Sequence, residues 1–398
     1  MTELAVGELN PPARTLLGPG PSNVHPRVYR AMMAPVVGHL DPFFVATMDE
    51  VVDLLRLVFQ TANRVTLPIS GTGSAGMEAS LVNILEPGDK VVVGVNGFFG
   101  ERLADAAGRC GAEVFPVTAA WGQPIAPEQV EAVLRQHPET KAVVVVHAET
   151  STGVLQPMED IARLTKERGA LLVVDAVTSL GGIPVATDAW GADVVYSCTQ
   201  KCLAVPPGLS PMTVSEAALQ ALRERRGKVP SWYLDLSMLE RYWGNKQTAR
   251  TYHHTAPITM IYALREGLRV AVEEGLEARY RRHARNGRAL QAGVQAMGLE
   301  LHAQEGHRLP VLTTVRIPEG ADDLKVRRAL LNDDNIEIGG GLGPLAGRIW
   351  RLGLMGYASS EENVLLLLAA LERVLAGLGV RVYRGQGVAA ALEVLNAG

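Results

Sequence analysis

The first half of the chain alternates short, uniformly apolar segments with segments whose apolar residues recur at helical spacing. The apolar segments predict strands at residues 65–70, 90–95, 112–117, 141–147, 170–176 and 193–198. Between them, the spacing predicts helices near residues 74–85, 102–109 and 158–169. Strands that are apolar on both faces are typical of a sheet covered on both sides. Alternating strands and helices predict an α/β protein with a mostly parallel sheet and right-handed crossovers.

The pattern changes after about residue 257. Residues 258–298 carry apolar positions at helical spacing, which predicts one long helix or two abutting helices. Short strands follow, with the sequences PVLTTVRIP, IEIGGG and RIWRLGL. We therefore predict an N-terminal arm at residues 1–22, a large domain at residues 23–275 and a smaller C-terminal α+β domain at residues 276–398. The arm is rich in Pro and Gly, and we expect it to pack against the small domain or a neighbouring subunit.

Composition and charge exclude some classes of partner. Of the 398 residues, 47% are hydrophobic, which is enough for two domains, because single cores stop growing at about 250–300 residues. A net charge of -4 indicates neither nucleic acid nor an anionic membrane as a partner. Two basic runs, RERRGK from Arg223 and RYRRHAR from Arg279, are expected to be solvated helix faces.

Cysteine usage and hydropathy indicate a reducing, aqueous compartment. Three cysteines in a chain of this length make no disulfide framework. The longest purely apolar run, residues 364–371, is far too short to span a bilayer. The first residues lack the basic-then-apolar order of a secretion signal, and the last residues are no peroxisomal address. We expect a soluble cytoplasmic protein.

A glycine-rich loop follows the first predicted strand. The segment GTGSAG matches the pattern G-x-G-x-x-G at Gly71, Gly73 and Gly76, and a predicted helix follows it. A loop that leads into a helix N-terminus offers free backbone N–H groups and a positive dipole, which suit any phosphate. The hydroxyls of Thr72 and Ser74 would suit one terminal phosphate group.

The dinucleotide interpretation of this loop requires an acidic residue about 20 positions on, at the end of the second strand, where it binds ribose hydroxyls. Here that strand ends in Asn96 and Gly97, and Asp89 lies before it, at the wrong end. The sequence therefore favours a phosphomonoester over NAD as the ligand, and an NAD-dependent oxidoreductase is disfavoured.

Two charged residues follow other predicted strands. Asp175 ends the segment LLVVD, at the carboxyl edge where open α/β sheets bind ligands. Lys201 follows the segment VVYSC and precedes a Pro-Pro-Gly turn. A desolvated lysine is a nucleophile for carbonyls, and a lysine Schiff base with an aspartate on the ring nitrogen is the pattern of pyridoxal phosphate (PLP). With the glycine loop on the phosphate, the three motifs predict a single PLP site and no metal site.

The order of these motifs resembles the class V aminotransferases. The matching segments are LLGPGPSN, ISGTGSAGMEA, LVNILEPGD, STGVLQP, VVDAVTSLGG, QKCLAVPPG, YHHT, and IEIGGGLGP followed by RIWRLGL. The likeness spans residues from about 12 to about 375 and is strongest to the branch of alanine–glyoxylate and serine–pyruvate (serine–glyoxylate) aminotransferases. It implies a PLP-dependent homodimer of fold type I, with active sites at the subunit interface.

The resemblance also implies a role for each matching residue. Lys201 matches the Schiff-base lysine, and Asp175 matches the partner of the ring nitrogen. The other implied cofactor contacts are Thr72, Gly73, Ser74 and Gln200 at the phosphate, Thr150 near the ring hydroxyl, and Tyr252 and Thr255, which reach the phosphate of the neighbouring subunit. Arg351 matches the arginine that binds the substrate carboxylate, and Gly20 with Pro21 would wall the substrate pocket.

The chain departs from the family pattern at two positions. Phe99 stands where the nearest branch commonly has a Trp stacked on the cofactor ring, and Ser74 stands where some relatives have a His. A phenylalanine still stacks on an aromatic ring. We therefore expect catalysis to survive, while cofactor affinity and substrate preference shift.

Other activities compete within the family. Cysteine desulfurases need a nucleophilic cysteine in the C-terminal domain, and no cysteine follows Cys202. Phosphoserine aminotransferases need extra cationic groups for the substrate phosphate, and no clear set is present. An (S)-ureidoglycine–glyoxylate aminotransferase shares the acceptor and much of the pattern, so that alternative stays open.

A non-catalytic scaffold would not need Lys201, Asp175 and Arg351 together. We therefore predict a transaminase that moves the amino group of alanine or serine to glyoxylate or pyruvate by a ping-pong mechanism. Lys201 is expected to carry the proton between the substrate Cα and the cofactor.

Overall fold

The computed structural model describes residues 6–244 and 250–397. Its strands are β1 (Thr15–Leu16), β2 (Val65–Ser70), β3 (Lys90–Val95), β4 (Glu113–Thr118), β5 (Thr140–Val146), β6 (Ala148–Glu149), β7 (Val154–Leu155), β8 (Leu171–Asp175), β9 (Val194–Tyr196), β10 (Leu209–Val214), β11 (Leu312–Arg316), β12 (Ile336–Glu337), β13 (Gly339–Gly340) and β14 (Ile349–Gly353). Its helices are α1 (Pro26–Met32), α2 (Pro42–Phe59), α3 (Gly73–Ile84), α4 (Phe98–Arg109), α5 (Pro127–Gln136), α6 (Glu159–Glu167), α7 (Thr187–Trp190), α8 (Glu216–Arg223), α9 (Leu236–Trp243), α10 (Ile258–Glu274), α11 (Leu276–Ala296), α12 (Asp323–Asp333), α13 (Glu361–Gly377) and α14 (Gln386–Asn396).

A sheet of seven strands forms the centre of the larger part of the described chain, in the order β2-β10-β9-β8-β5-β3-β4. Neighbouring strands run parallel except at β10, which is antiparallel to both β2 and β9. The predicted α/β class with a mostly parallel sheet is confirmed. Because β2 and β9 both oppose β10, the carboxyl ends of β2, β3, β5, β8 and β9 meet at one edge of the sheet.

Strand β10 is the member of this sheet that the hydrophobic pattern does not predict, because Ser210, Pro211 and Thr213 interrupt its apolar run. All three residues are buried. The hydroxyl of Thr213 lies 2.8 Å from that of Thr66 on β2, and Ser210 Oγ donates to the carbonyl of Ser197 at 2.5 Å. These hydrogen bonds make polar side chains compatible with a central strand, since buried hydroxyls need partners.

Several helices begin at a capping side chain. Asp41, Ser215, Asp235, Asp322 and Ser360 cap α2, α8, α9, α12 and α13 by accepting a hydrogen bond from a backbone N–H of the first turn. Such caps satisfy donors that have no partner inside the helix. In the part of the chain that the structure describes, no helix is both long and apolar enough to cross a membrane.

One buried apolar cluster surrounds the seven-stranded sheet, and a second lies in the C-terminal part, around the antiparallel sheet β11-β14-β13 and helices α11 to α14. The region 258–298 forms two helices, α10 and α11, which meet at Gly275 with a φ of 83°. Of the two predicted arrangements, the abutting pair is the one found. The predicted domain boundary after residue 275 coincides with this junction and stays a prediction.

The N-terminal arm contacts this C-terminal part. Strand β1 pairs parallel with β12, and Leu17 is fully buried in the second apolar cluster. The arm therefore lies against the region predicted to be the small domain. Residues 1–5 of the predicted arm, residues 245–249 of the predicted large domain and residue 398 lie outside the described residues.

Candidate active site

A pocket opens at the carboxyl edge of the large sheet, and most of the predicted site residues line it. These are Thr72, Gly73, Ser74, Phe99, Thr150, Asp175, Gln200 and Lys201. The pocket also includes Arg102 and Tyr196, which the sequence analysis does not single out. Residues from five separate segments of the chain thus meet at the edge that parallel α/β sheets use for ligands.

The glycine loop leaves the N-terminus of α3 available to an anion. Thr72 has extended backbone at the N-cap position, but its side chain caps no N–H group. Thr72 and Ser74 are exposed and line the pocket. A Cβ on Gly73 would lie 3.1 Å from a neighbouring methyl group, and one on Gly76 would lie 2.0 Å from Ser210 Oγ. These two glycines let α3 approach the sheet, a packing role that requires no dinucleotide.

Asp175 ends β8 with 7% of its surface exposed and has both carboxylate oxygens engaged. Oδ1 accepts from the N–H of Val177 at 2.8 Å, and Oδ2 accepts from the hydroxyl of Tyr196 at 2.6 Å. Burial raises the pKa of Asp175, while these two hydrogen bonds and the charges of Lys201 and Arg102 act in the opposite direction. The carboxylate is fixed in orientation and lies among cations.

Lys201 follows β9, and its ammonium donates to the carbonyl of Pro19. Burial is the main reason that the pKa of Lys201 is lowered, and the positive charge of Arg351 lowers it further. A lowered pKa raises the fraction of neutral amine, the form that attacks carbonyls and accepts protons. Gly20 has a φ of 106°, and a Cβ there would lie 2.8 Å from Lys201 Nζ. Any other residue at this position would be strained by the positive φ and would push the lysine side chain aside.

The backbone around Lys201 is held from two sides. The hydroxyl of Ser22 donates to the carbonyl of Lys201 at 2.7 Å, and the N–H of Ser22 donates to the carbonyl of Gln200 at 2.9 Å. On the other side, Arg279 Nη2 donates to the carbonyl of Cys202 at 2.5 Å. The peptide units before and after Lys201 therefore have fixed orientations.

The prediction that the basic run from Arg279 is a solvated helix face is wrong for Arg279 itself. This residue is 3% exposed, donates to the carbonyl of Gly181 at 2.7 Å and forms an ion pair with Glu274 at 2.6 Å. A buried guanidinium is tolerated when carbonyls and a carboxylate satisfy its donors. Its carbonyl partners come from distant parts of the chain, so helical spacing does not reveal them.

Helix α4 begins at Phe98, one turn earlier than predicted, and therefore carries Phe99 in its first turn. The guanidinium carbon of Arg102 lies 5.0 Å from the centre of the Phe99 ring and 5.3 Å from that of Phe98. Arg102 follows Phe99 by three positions, on the same helix face, so an earlier predicted helix start would have indicated it. Burial raises the pKa values of Asp175 and Tyr196, and the positive charge of Arg102 lowers them.

Tyr196 is the second pocket residue that the sequence analysis missed. It is the last residue of β9, is 1% exposed and donates its hydroxyl to Asp175. A buried tyrosine needs a hydrogen-bond partner for its hydroxyl. A tyrosine at the end of an otherwise apolar strand therefore indicates a buried hydroxyl with a polar partner, and this pattern could have identified Tyr196.

Arg351 lies on β14 beside the pocket and is 7% exposed. Its Nε donates to the carbonyl of Gly340 at 2.7 Å, and its Nη1 donates to the carbonyl of Thr150 at 3.4 Å. Burial lowers the pKa of Arg351 to about 10, and the charge of Glu149 opposes this shift, so the guanidinium is protonated at neutral pH. Among residues 6–244 and 250–397, no carboxylate forms an ion pair with Arg351. A buried cation of this kind is suited to an incoming anion.

Tyr252 and Thr255 lie outside the pocket of their own chain. Both residues are exposed, Tyr252 with 57% of its surface. The ring of Tyr252 contacts the ring of His39, with the two centres 5.0 Å apart. The structure thus gathers the other predicted residues in or beside one pocket and leaves these two on the surface.

Comparisons with known proteins agree on one family. The sequence model described as aminotransferase class-V matches residues 25–362. The chain is 43% identical to an (S)-ureidoglycine–glyoxylate transaminase of Bacillus subtilis, over 98% of this chain and 98% of the relative. It is also 43% identical to an alanine–glyoxylate aminotransferase of Callithrix jacchus, over 92% of this chain and 89% of the relative.

A solved structure supports the same likeness. The crystal structure of an alanine–glyoxylate aminotransferase from Nostoc sp. is similar to this chain with a TM-score of 0.91 and 52% sequence identity. The match covers 94% of this chain and 98% of that one.

Proposed function

This chain belongs to the class V aminotransferases, PLP-dependent enzymes of fold type I, and we propose that it moves the amino group of alanine or serine to glyoxylate or pyruvate. The observation that carries the proposal is the meeting of Lys201, Asp175 and the uncapped start of α3 in one pocket. Each part alone has other uses, but together they match the three functional groups of PLP: an aldehyde, a ring nitrogen and a phosphate.

The residues present fit this cofactor. Thr72, Ser74 and the first N–H groups of α3 offer donors to a phosphate. The buried amide oxygen of Gln200 has no hydrogen-bond partner within the described residues, so the amide is free to turn its NH₂ group toward a phosphate oxygen. Asp175 is an oriented carboxylate for a protonated ring nitrogen, whose positive charge would counter the effect of burial on the carboxylate.

When bound, PLP supplies a carbonyl carbon that takes up the amino group and a ring that accepts electrons as the substrate Cα–H bond breaks. We propose that Lys201 would accept the Cα proton and carry it to the cofactor carbon that takes up the amino group, since its lowered pKa favours the neutral amine that acts as a base. Asp175 would keep the ring nitrogen protonated, and the hydroxyl of Tyr196 orients Asp175 for this role. Phe99 and Thr150 line the same pocket, where Phe99 would stack on the cofactor ring and Thr150 would face its hydroxyl.

Arg351 is proposed to bind the substrate carboxylate. Arg351→Lys is expected to raise KM for the amino donor by about 10- to 100-fold with a smaller change in kcat, because a lysine cannot reproduce two parallel charge-assisted hydrogen bonds. Steady-state kinetics with the donor varied would measure this. The matched control is Arg316→Lys, an exposed arginine on the adjacent strand β11. An unchanged KM in Arg351→Lys would remove Arg351 from substrate binding.

Glyoxylate is the acceptor that the relatives' names have in common, and their names differ in the donor. The experiment that tests the proposed substrates is glycine formation from glyoxylate with alanine, serine or (S)-ureidoglycine as the only donor. We expect the highest kcat/KM with alanine or serine.

The second candidate is a ureidoglycine–glyoxylate aminotransferase, which the likeness over 98% of both chains favours. A highest kcat/KM with ureidoglycine would establish that candidate instead.

We propose that the protein is a homodimer in which Tyr252 and Thr255 reach the phosphate in the partner's pocket. Their exposed positions outside the pocket of their own chain support this. The ring of Tyr252 contacts that of His39, and the segment around His39 carries the exposed apolar side chains of Val36 and Phe43, at 67% and 64% exposure. Such a patch is typical of a surface that another chain covers.

Co-expression of two defective chains tests this arrangement. The first chain carries Lys201→Ala and the second carries Tyr252→Ala with Thr255→Ala. In a mixed dimer one site holds both defects and the other holds neither, so equal expression is expected to restore about a quarter of wild-type specific activity. Activity no higher than that of the two parents would show that Tyr252 and Thr255 act within their own chain. Wild type co-expressed with Lys201→Ala is the control for dilution.

We propose the cytoplasm as the location. The three cysteines are free thiols, and burial raises the pKa of both Cys198 and Cys202 to about 12. Unpaired, inert thiols are typical of a reducing compartment.

A further inference from the structure

Glu149 is a fully buried carboxylate for which the proposed mechanism has no use. It ends β6, next to the pocket residue Thr150. Its Oε1 accepts from the N–H of Ser151 at 3.0 Å and from the hydroxyl of Ser151 at 2.5 Å, and its Oε2 accepts from the N–H of Gly100 at 3.2 Å. A buried carboxylate is costly unless donors surround it. One of these three donors comes from helix α4.

Glu149 and Ser151 together replace the missing cap of α4. The N-cap residue is Gly97, which has no side chain to accept from the first turn. The hydroxyl of Ser151 accepts from the N–H of Phe98 at 2.9 Å, and Glu149 accepts from that of Gly100. The first turn of α4 is therefore capped by the end of β6 and the turn that follows it, and a carboxylate there also interacts favourably with the helix dipole.

The glycine at position 97 is what permits this arrangement. A Cβ on Gly97 would lie 2.4 Å from Glu149 Cδ and 2.5 Å from Ser151 Oγ. Any side chain at this position would occupy the space that the two capping groups fill. Capping of α4 by Glu149 and Ser151 therefore requires glycine at position 97.

The capped turn carries Phe99, which lines the pocket and packs under the guanidinium of Arg102 at 5.0 Å. We propose that Glu149 is a positioning residue that fixes the first turn of α4 and thereby holds the Phe99 ring against the cofactor. This inference rests on the proposed function, because it takes PLP as the group on which Phe99 stacks. Glu149 itself touches neither substrate nor cofactor in this account.

The first test measures the cap without any cofactor. In Glu149→Gln the new NH₂ group cannot accept from Gly100 while the amide oxygen stays on Ser151, so one cap bond is lost. In the full-length protein without added PLP, amide hydrogen exchange of Phe98 and Gly100 is expected to become about tenfold faster. Glu101→Gln is the matched control, because it removes the same charge from the exposed face of the same turn. Unchanged exchange in Glu149→Gln would overturn the cap.

The second test measures whether the cap acts through Phe99. The dissociation constant for PLP is expected to rise about tenfold in Glu149→Gln and about tenfold in Phe99→Ala, and to rise no further in the double variant. If the two increases in the dissociation constant multiply in the double variant, Glu149 does not act through Phe99. A structural role that is independent of Phe99 would give that result. If Glu149→Gln does not fold, Ser151→Ala enters the same cycle, because it removes the bond to Phe98.

The two tests also separate this inference from the proposed function. A wild-type protein that binds no PLP would refute the function, while the exchange measurement would still report on the cap. A wild type that binds PLP, with Glu149→Gln matching the Glu101→Gln control in both measurements, would refute the positioning role alone.

Discussion

Lys201→Ala is expected to lower transamination by roughly a thousandfold or more, because the proposed mechanism loses both its carbonyl nucleophile and its base in one change. The variant should remain folded. Ser22 and Arg279 hold the loop by donating hydrogen bonds to the backbone carbonyls of residues 200–202, and none of these contacts uses the lysine side chain. The substitution also removes the free-energy cost of keeping a charged ammonium group away from water, the same burial that lowers the pKa of Lys201. Glycine formation from glyoxylate, measured beside thermal unfolding, separates lost chemistry from lost structure.

The matched control is Lys228→Ala, which removes an exposed loop lysine that does not line the pocket. It is expected to keep wild-type activity. A Lys201→Ala variant that retained even a tenth of wild-type kcat would contradict the proposed role of Lys201. A variant with low activity and a strongly lowered Tm would point to a structural role instead.

Asp175→Asn is expected to lower kcat by roughly 100- to 1,000-fold, the range found when one oriented electrostatic contact is removed from an active site. Asparagine nearly keeps the shape of aspartate, but it carries no charge to hold a proton on the ring nitrogen. Its amide oxygen can still accept from one of the two donors, Val177 N–H and the Tyr196 hydroxyl. Folding should therefore be close to that of wild type, and the loss should be in kcat.

Tyr196→Phe is the comparison that isolates the charge. It removes the hydrogen bond to Oδ2 of Asp175 and leaves the carboxylate in place. The expected loss is about tenfold or less, the size of one hydrogen bond. Equal losses in Tyr196→Phe and Asp175→Asn would mean that orientation matters and charge does not. Full activity in Asp175→Asn would contradict the proposed partner of the ring nitrogen.

The local pattern predicts the elements that build the pocket, because those elements are themselves locally defined. Strands β8 and β9 are predicted from continuous apolar runs, and an aspartate or lysine at or shortly after the end of such a run lies at the carboxyl edge of the sheet. Asp175 and Lys201 are therefore placed by chain order alone. The glycine loop is equally local, since a strand, three glycines and a helix follow one another in the sequence.

The residues that sequence analysis missed depend on contacts between distant segments. Arg279 is buried because carbonyls near residues 181 and 202 accept from it, and no helical pattern shows those partners. Strand β10 is concealed by hydroxyls that are paired only in the folded sheet. Glu149 and Gly97 are more than fifty positions apart in the chain and form one cap through a contact that only the fold creates.

The central claim is that one pocket cycles PLP between an amino donor and glyoxylate. The most direct measurement is the visible absorption of the purified protein after PLP is added, followed by alanine or serine and then by glyoxylate. We expect a cofactor band that the donor removes and glyoxylate restores, with one glycine formed per site and no such cycle in Lys201→Ala. A protein that binds no PLP, or a band that none of the donors alters, would contradict this claim.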